Sequence, residues 1–161
     1  MALAVYVGTF DPITKGHLNV VKRAATMFDR LIVGVFDTPS KTVLFSTEER
    51  MYFVQQSGQD IPNVEVRSYS GLTVDFAHEL GAAAMIRGLR SITDLDYEAA
   101  MVMMNRKLRP NIDTIFLYTS LEYQFVSSTL IKEVARYGGD INDLVPQHVA
   151  AALQQKFHIA V

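Results

Sequence analysis

Polar and apolar positions along this chain alternate between two rhythms. Short strand-like runs at Ala4–Val7, Leu31–Phe36, Val64–Tyr69, Ala83–Ile86 and Thr114–Tyr118 are separated by stretches whose apolar residues return every three or four positions, the spacing of a helix with one buried face. The helical stretches are His17–Phe28, Thr47–Gln56, Thr73–Leu80, Asp94–Leu108 and Ser127–Tyr137, with a last one from about 146 to 156. Leu31-Ile32-Val33-Gly34-Val35-Phe36 has no polar alternation at all. Such a run suits a strand covered on both faces, as in a parallel sheet flanked by helices. The order of elements therefore predicts an α/β fold: a single doubly wound, Rossmann-like domain spanning 1–161, with a five-stranded parallel sheet and helices on both faces.

Local chemistry marks the boundaries. Ser46 or Thr47 followed by Glu48 and Glu49 is a capped helix start, Gly138-Gly139 stops the fifth helix, and Pro146 sits where the first turn of the last one begins. Tyr97, Met101, Met104 and Leu108 form one helical stripe, read as core or interface packing together with Met103. No linker rich in Pro, Gly or Ser divides the chain. A length of 161 residues allows one core that buries roughly 70% of the unfolded surface.

Composition narrows the chemistry. Cysteine is absent, which excludes disulfides, thiolate metal sites and cysteine nucleophiles and suits a reducing cytoplasm. The expectation is a soluble cytoplasmic protein, with no signal pattern and no membrane span. A net charge of −2 gives no general attraction to nucleic acid, so any polyanion must be held by a local cluster of cations. His17, Lys41, Arg87 and Arg90 are the candidates.

Ligands of open parallel sheets bind beyond the carboxyl ends of the strands. Five polar segments fall there: Gly8–Asp11, Thr38–Lys41, Ser70–Thr73, Arg87–Arg90 and Thr119–Ser128. Gly8-Thr9-Phe10-Asp11-Pro12 followed by Gly16 and His17 joins a buried strand to a helix N-terminus, where free amides and the helix dipole attract anions and glycines let a phosphate approach. An ordinary turn, with Asp11 satisfying loop amides, reads the same way in isolation, and a lone His17 is as readily a cap. Arg87-Gly88-Leu89-Arg90 offers planar donors matched to phosphate. Ser127-Ser128-Thr129 is either an N-cap or a second phosphate cradle. Asp94, Asp96 and Glu98 imitate a metal cluster, but alternate residues of a helix diverge, so no protein metal site is read. His78, His148 and His158 are scattered and read as structural or surface groups.

With these motifs in place, the chain resembles the bacterial phosphopantetheine adenylyltransferases of the nucleotidyltransferase superfamily, end to end. The resemblance rests on G-T-F-D-P-I-T-K-G-H from Gly8, P-S-K at Pro39–Lys41, I-R-G-L-R at Ile86–Arg90, D-Y-E at Asp96–Glu98, M-N-R at Met104–Arg106 and V-S-S-T-L-I-K-E-V-A from Val126. It implies adenylate transfer from ATP to 4′-phosphopantetheine by direct in-line attack, giving dephospho-coenzyme A and pyrophosphate. It also implies magnesium held mainly by the ATP phosphates, coenzyme A as a feedback ligand, and a homohexamer built from trimers. His17 would stabilise the transition state, with Thr9 and Lys41 placing the attacking phosphate and Arg87 and Thr73 contacting pantetheine. The ATP site would comprise Gly8, Thr9, Phe10, His17, Gly88, Leu89, Arg90, Glu98, Tyr123, Gln124, Phe125, Val126, Ser127, Ser128 and Thr129. The chain has Tyr123 where many relatives have Trp, Thr129 where they have a third Ser, and Thr14 in place of the first His of H-x-G-H. The alternatives are a related transferase acting on nicotinamide mononucleotide or glycerol phosphate, and a nucleotide-binding module without catalysis.

Overall fold

The computed structural model describes residues 1–157; His158 lies outside them. Five parallel strands, β1 (Leu3–Gly8), β2 (Arg30–Phe36), β3 (Val64–Tyr69), β4 (Ala84–Leu89) and β5 (Asp113–Tyr118), form one sheet in the order β3-β2-β1-β4-β5. The helices are α1 (Lys15–Met27), α2 (Thr47–Gly58), α3 (Thr73–Glu79), α4 (Ile92–Leu108), α5 (Ser128–Arg136) and α6 (Gln147–Phe157), with a 3-10 turn at Leu121–Tyr123.

β1 is central because both of its faces are apolar. Ala4 and Tyr6 join Leu31, Val33, Val35 and Ile86 in a core covered by α1, α2, α5 and α6. Leu3, Val5 and Val7 point the other way, into a second core with Ile32, Met85 and Val74 and Ala77 of α3. The period of two along β1 thus divides the interior into two layers.

Of the two readings of the α4 stripe, core or interface, the core of this chain does not supply the cover. None of its residues is buried, and Ile92, Tyr97, Met101, Met103, Met104 and Leu108 are all exposed. The apolar stripe is real, but the protomer core does not cover it.

Strand order creates the cleft. From β1 the chain moves to β2 and β3 on one side, then crosses to β4 and β5 on the other, so β1 and β4 flank the point where connections diverge. The β1–β2 ladder runs through Gly8 opposite Val35 and the β4–β5 ladder through Leu89 opposite Tyr118, but the β1–β4 ladder ends at Tyr6 opposite Ile86. Beyond that pair the Arg87 side chain takes over, Nη1 donating to Val7 O at 3.1 Å. The two central strands separate there. Pairing with β5 nevertheless carries β4 three residues past the expected Ile86, so Arg87 to Leu89 are strand rather than loop.

Candidate active site

A cleft of about 580 Å³ opens over this gap. Gly8, Thr9 and Phe10 come to it from the end of β1, His17 from the first turn of α1, Lys41 from the segment after β2, Arg87, Gly88 and Arg90 from the end of β4, Glu98 from α4, and Tyr123 and Val126 to Thr129 from the approach to α5. His17 and Lys41 therefore share one wall-to-wall space.

His17 is held by its own helix start. Thr14 is the N-cap, its Oγ1 accepting from His17 N at 3.3 Å, while Thr14 N donates to His17 Nδ1 at 3.0 Å. This capping box uses a histidine where glutamate is usual. Because Nδ1 accepts a main-chain proton, a neutral ring carries its hydrogen on Nε2 and presents it as a donor. Burial pushes the imidazole pKa down to about 4, and the positive charges of Arg90 and Lys41 push in the same direction. Phe10 completes the setting: its ring lies edge-on to His17 at 5.2 Å and to Tyr6 at 5.3 Å.

Phe10 is 4% exposed and has a φ of 50°, in the left-handed region. It lines the cleft while its ring packs in the core. Gly8 is explained by that ring, since a Cβ there would lie 3.1 Å from it. Glycine is needed for Phe10 before any phosphate arrives. Gly16, read as another approach point, would make only ordinary contacts of 3.4 Å and longer with a Cβ.

The two arginines are already engaged. Arg87 pairs bidentately with Glu98, Nε to Oε2 at 2.8 Å and Nη2 to Oε1 at 2.6 Å. Arg90 donates from its backbone to Asp94 Oδ2 at 2.9 Å and from its guanidinium to the same carboxylate at 3.3 and 3.4 Å. Asp94 and Glu98, four residues apart on α4, thus face the cleft together. Asp94 was read only as part of a false metal cluster; its four-residue spacing to Arg90 is the signal that was there to find. Thr119, the first residue of the fifth polar segment, lines the cleft as expected, and Tyr6, Thr14, Thr93 and Tyr97 also line it without having been readable as site residues from the chain.

At α5 both serines have structural partners. Ser127 Oγ accepts from Leu130 N at 3.1 Å as the N-cap, and Ser128 Oγ donates to Pro12 O at 2.8 Å. The helix start is thereby fixed to the Gly8–Pro12 turn, with its first amides at the cleft.

Four sequence candidates lie elsewhere. Leu89 is 1% exposed and belongs to the core, Phe125 is exposed, and Gln124 Nε2 donates to Thr119 O at 3.4 Å. Thr73 sits on a neighbouring cavity of about 410 Å³, where Met85, Met101, Val102, Asn105 and Thr114 supply the walls. Arg87, Tyr97 and Glu98 border both spaces. Among the described residues no group of three or more His, Cys, Asp or Glu side chains could hold a metal ion, and no helix is long and apolar enough to cross a membrane.

Comparison with known proteins adds lineage to this geometry. Residues 5–134 match the family model described as cytidylyltransferase-like. The chain is 51% identical to a phosphopantetheine adenylyltransferase of Desulforudis audaxviator over 98% of its own length and 96% of the relative's. It is 50% identical to the phosphopantetheine adenylyltransferase of Thermomicrobium roseum, with the same two coverages. A crystal structure assigned as a nicotinate-nucleotide adenylyltransferase from Vibrio parahaemolyticus superposes with a TM-score of 0.72 at 17% identity, covering 95% of this chain and 99% of that one. That likeness concerns the fold.

Proposed function

The chain belongs to the cytidylyltransferase-like family and, within it, to the phosphopantetheine adenylyltransferases; on that premise we propose that its cleft moves adenylate from ATP to the phosphate of 4′-phosphopantetheine, giving dephospho-coenzyme A and pyrophosphate. The observation that carries the reading is the meeting of His17, Lys41 and Arg90 in one cleft, close enough for both cations to act on the imidazole.

A phosphate monoester is already anionic at neutral pH, so no base has to remove a proton before attack. Its oxygen forms a bond to the α-phosphorus as the bond to the bridging oxygen of pyrophosphate breaks, and the electron pair leaves with pyrophosphate. Two polyanions repel. The chain's work is to align them and to place donors where charge develops. Thr9 and Lys41 hold the attacking phosphate, and the Nε2 hydrogen of neutral His17 is donated to the α-phosphate. Arg90 and the α5 amides take the phosphates that depart. Arg87 keeps unused N–H groups beside its bonds to Glu98 and Val7, and it stands at the border of the two cavities, where the arm of the acceptor would leave its phosphate in the cleft and pass into the second. The apolar walls there, with Thr73 at the edge, suit the pantetheine arm.

Magnesium fits the residues only as a cation carried by the triphosphate, because the cleft carboxylates Asp94 and Glu98 are committed to Arg90 and Arg87. When bound, it neutralises phosphate charge. Coenzyme A shares the phosphopantetheine arm and is the feedback ligand such a cleft would accept. The same reading extends to a cytoplasmic homohexamer, supported by the uncovered apolar face of α4.

The test is pyrophosphate release with ATP and 4′-phosphopantetheine, run beside nicotinamide mononucleotide and glycerol phosphate as acceptors. Turnover with phosphopantetheine alone is expected. Preference for either rival would reassign the acceptor, and tight ATP binding without turnover on any of the three would leave a binding module.

A further inference from the structure

Arg50, in α2, is 1% exposed, and its charge is spent on main chain. Nη1 donates to Thr9 O and to Phe36 O, each at 2.7 Å, Nε to Phe45 O at 3.2 Å, and Nη2 to Thr47 Oγ1 at 3.0 Å. Beside it the Asp11 carboxylate, 2% exposed, accepts from Leu44 N at 2.9 Å, Phe45 N at 3.0 Å and Lys132 Nζ at 2.6 Å.

These bonds share a pattern. Phe36 ends β2, and Phe45 adjoins Ser46, the N-cap of α2, so the intervening segment that carries Lys41 is held at both ends. In each case the other end of the hold is the Gly8–Asp11 turn, through Thr9 O for Arg50 and through Asp11 itself. Buried ions are weak devices for stability, since well-packed apolar residues usually serve as well or better. They do fix distances. A planar guanidinium with directed donors relates three carbonyls from three segments in a way that an apolar side chain or a compact ammonium does not.

We propose that Arg50 is a positioning residue that, together with Asp11, sets Lys41 against Thr9, so that the two groups assigned to the attacking phosphate form one receptor. The inference rests on the acceptor reading given above. It differs from that reading in its object: Arg50 touches no substrate, and acts through the carbonyl of Thr9 and the root of the Lys41 segment. Misplacement of Arg50 should be felt by the acceptor more than by ATP, because His17 and Arg90 hang from other contacts, while the start of α5 shares only the far end of the turn, through Pro12 O and the Asp11–Lys132 pair.

The experiment compares wild type, Arg50→Lys, Asp11→Asn and the double variant in melting temperature, ATP affinity by calorimetry, and kcat and KM for phosphopantetheine by pyrophosphate release. Arg50→Lys is expected to fold, to bind ATP within threefold of wild type, and to lose at least tenfold in kcat/KM for phosphopantetheine, mostly through KM. Asp11→Asn should move the same parameter, with a smaller loss of ATP affinity through its pair with Lys132 of α5, and the double variant should lose less in phosphopantetheine kcat/KM than the product of the singles, since both hold the Lys41 segment. Phosphopantetheine kinetics within twofold of wild type, or a loss shared equally with ATP binding, would overturn the proposal whatever the melting temperature. Should Arg50→Lys not fold, Thr47→Ala decides, because it removes only the Nη2 bond: a rise of about threefold in KM for phosphopantetheine with ATP affinity unchanged supports the role, and no rise refutes it. If wild type instead turns over another phosphorylated acceptor, the acceptor reading has failed and the same comparison is made on that acceptor.

Discussion

α1 and α4 face each other across one cleft and are built in opposite ways. α1 buries Gly16, Val20, Val21, Ala24 and Ala25 and delivers His17 from a closed capping box. α4, longer at 17 residues, buries none and reaches the site through two ion pairs, Asp94 with Arg90 and Glu98 with Arg87. One wall is set before a ligand arrives. The other is held to the sheet by polar contacts and by whatever covers its apolar face. The difference is a division of labour: α1 delivers the donor that must match the transition state from its own closed cap, and α4 supplies the carboxylates that orient the phosphate-gripping arginines of β4 and its exit.

The strongest way to break that division is His17→Ala. Turnover should fall ~100-fold or more, as when an oxyanion donor is lost, with ATP affinity largely kept. Steady-state kinetics beside calorimetry checks it, and an equal loss of binding and rate would place His17 with the ground-state groups.

Lys41→Ala comes next. Loss of a charged hydrogen bond to the acceptor phosphate should raise KM for phosphopantetheine by roughly 10-fold to 100-fold, with ATP binding much less affected. The reverse pattern in titrations of each ligand would exchange the two phosphate pockets.

Glu98→Gln sharpens the view of α4. It leaves Arg87 half-satisfied and should cost about 1 kcal/mol, roughly fivefold, in phosphopantetheine use. A larger effect on ATP would mean that Glu98 reads the nucleotide directly, as the family resemblance implies.

The last effect is on stability rather than on activity. Folded His17 stays neutral down to about pH 4, whereas the unfolded chain takes up that proton near 6.5. Between those values the unfolded state binds more protons, so the contribution of His17 is complete above pH 6.5 and is lost as pH falls toward 4. In thermal melts across this range, His17→Gln should flatten part of the acid decline; an unchanged slope would show that other groups set it.

Much of the fold was legible because β1 and β2 are apolar on both faces and each helix carries its own stop or start. Pattern failed where a residue's partner is distant in the chain. Arg87-Gly88-Leu89 reads as loop from its composition, yet pairing with β5 carries the strand to Leu89. The methionines of α4 show that periodicity reveals an apolar face without saying what lies against it. Within the site, His17, Lys41, Arg87 and Arg90 were visible as cations at strand ends and Asp94 by its four-residue spacing to Arg90, while the role of Arg50 depends on contacts that only folding creates. Arg50 appears in the chain as one more charge in a polar first turn.

In the ligand-free cleft His17 is already a neutral Nε2–H donor, its Nδ1 taken by the amide of Thr14. Nitrogen-detected NMR titration of the imidazole in the ligand-free protein tests it directly. An Nε2–H tautomer and a midpoint of about 4 are expected; an Nδ1–H tautomer, or a midpoint at the ordinary value near 6.5, would overturn that assignment.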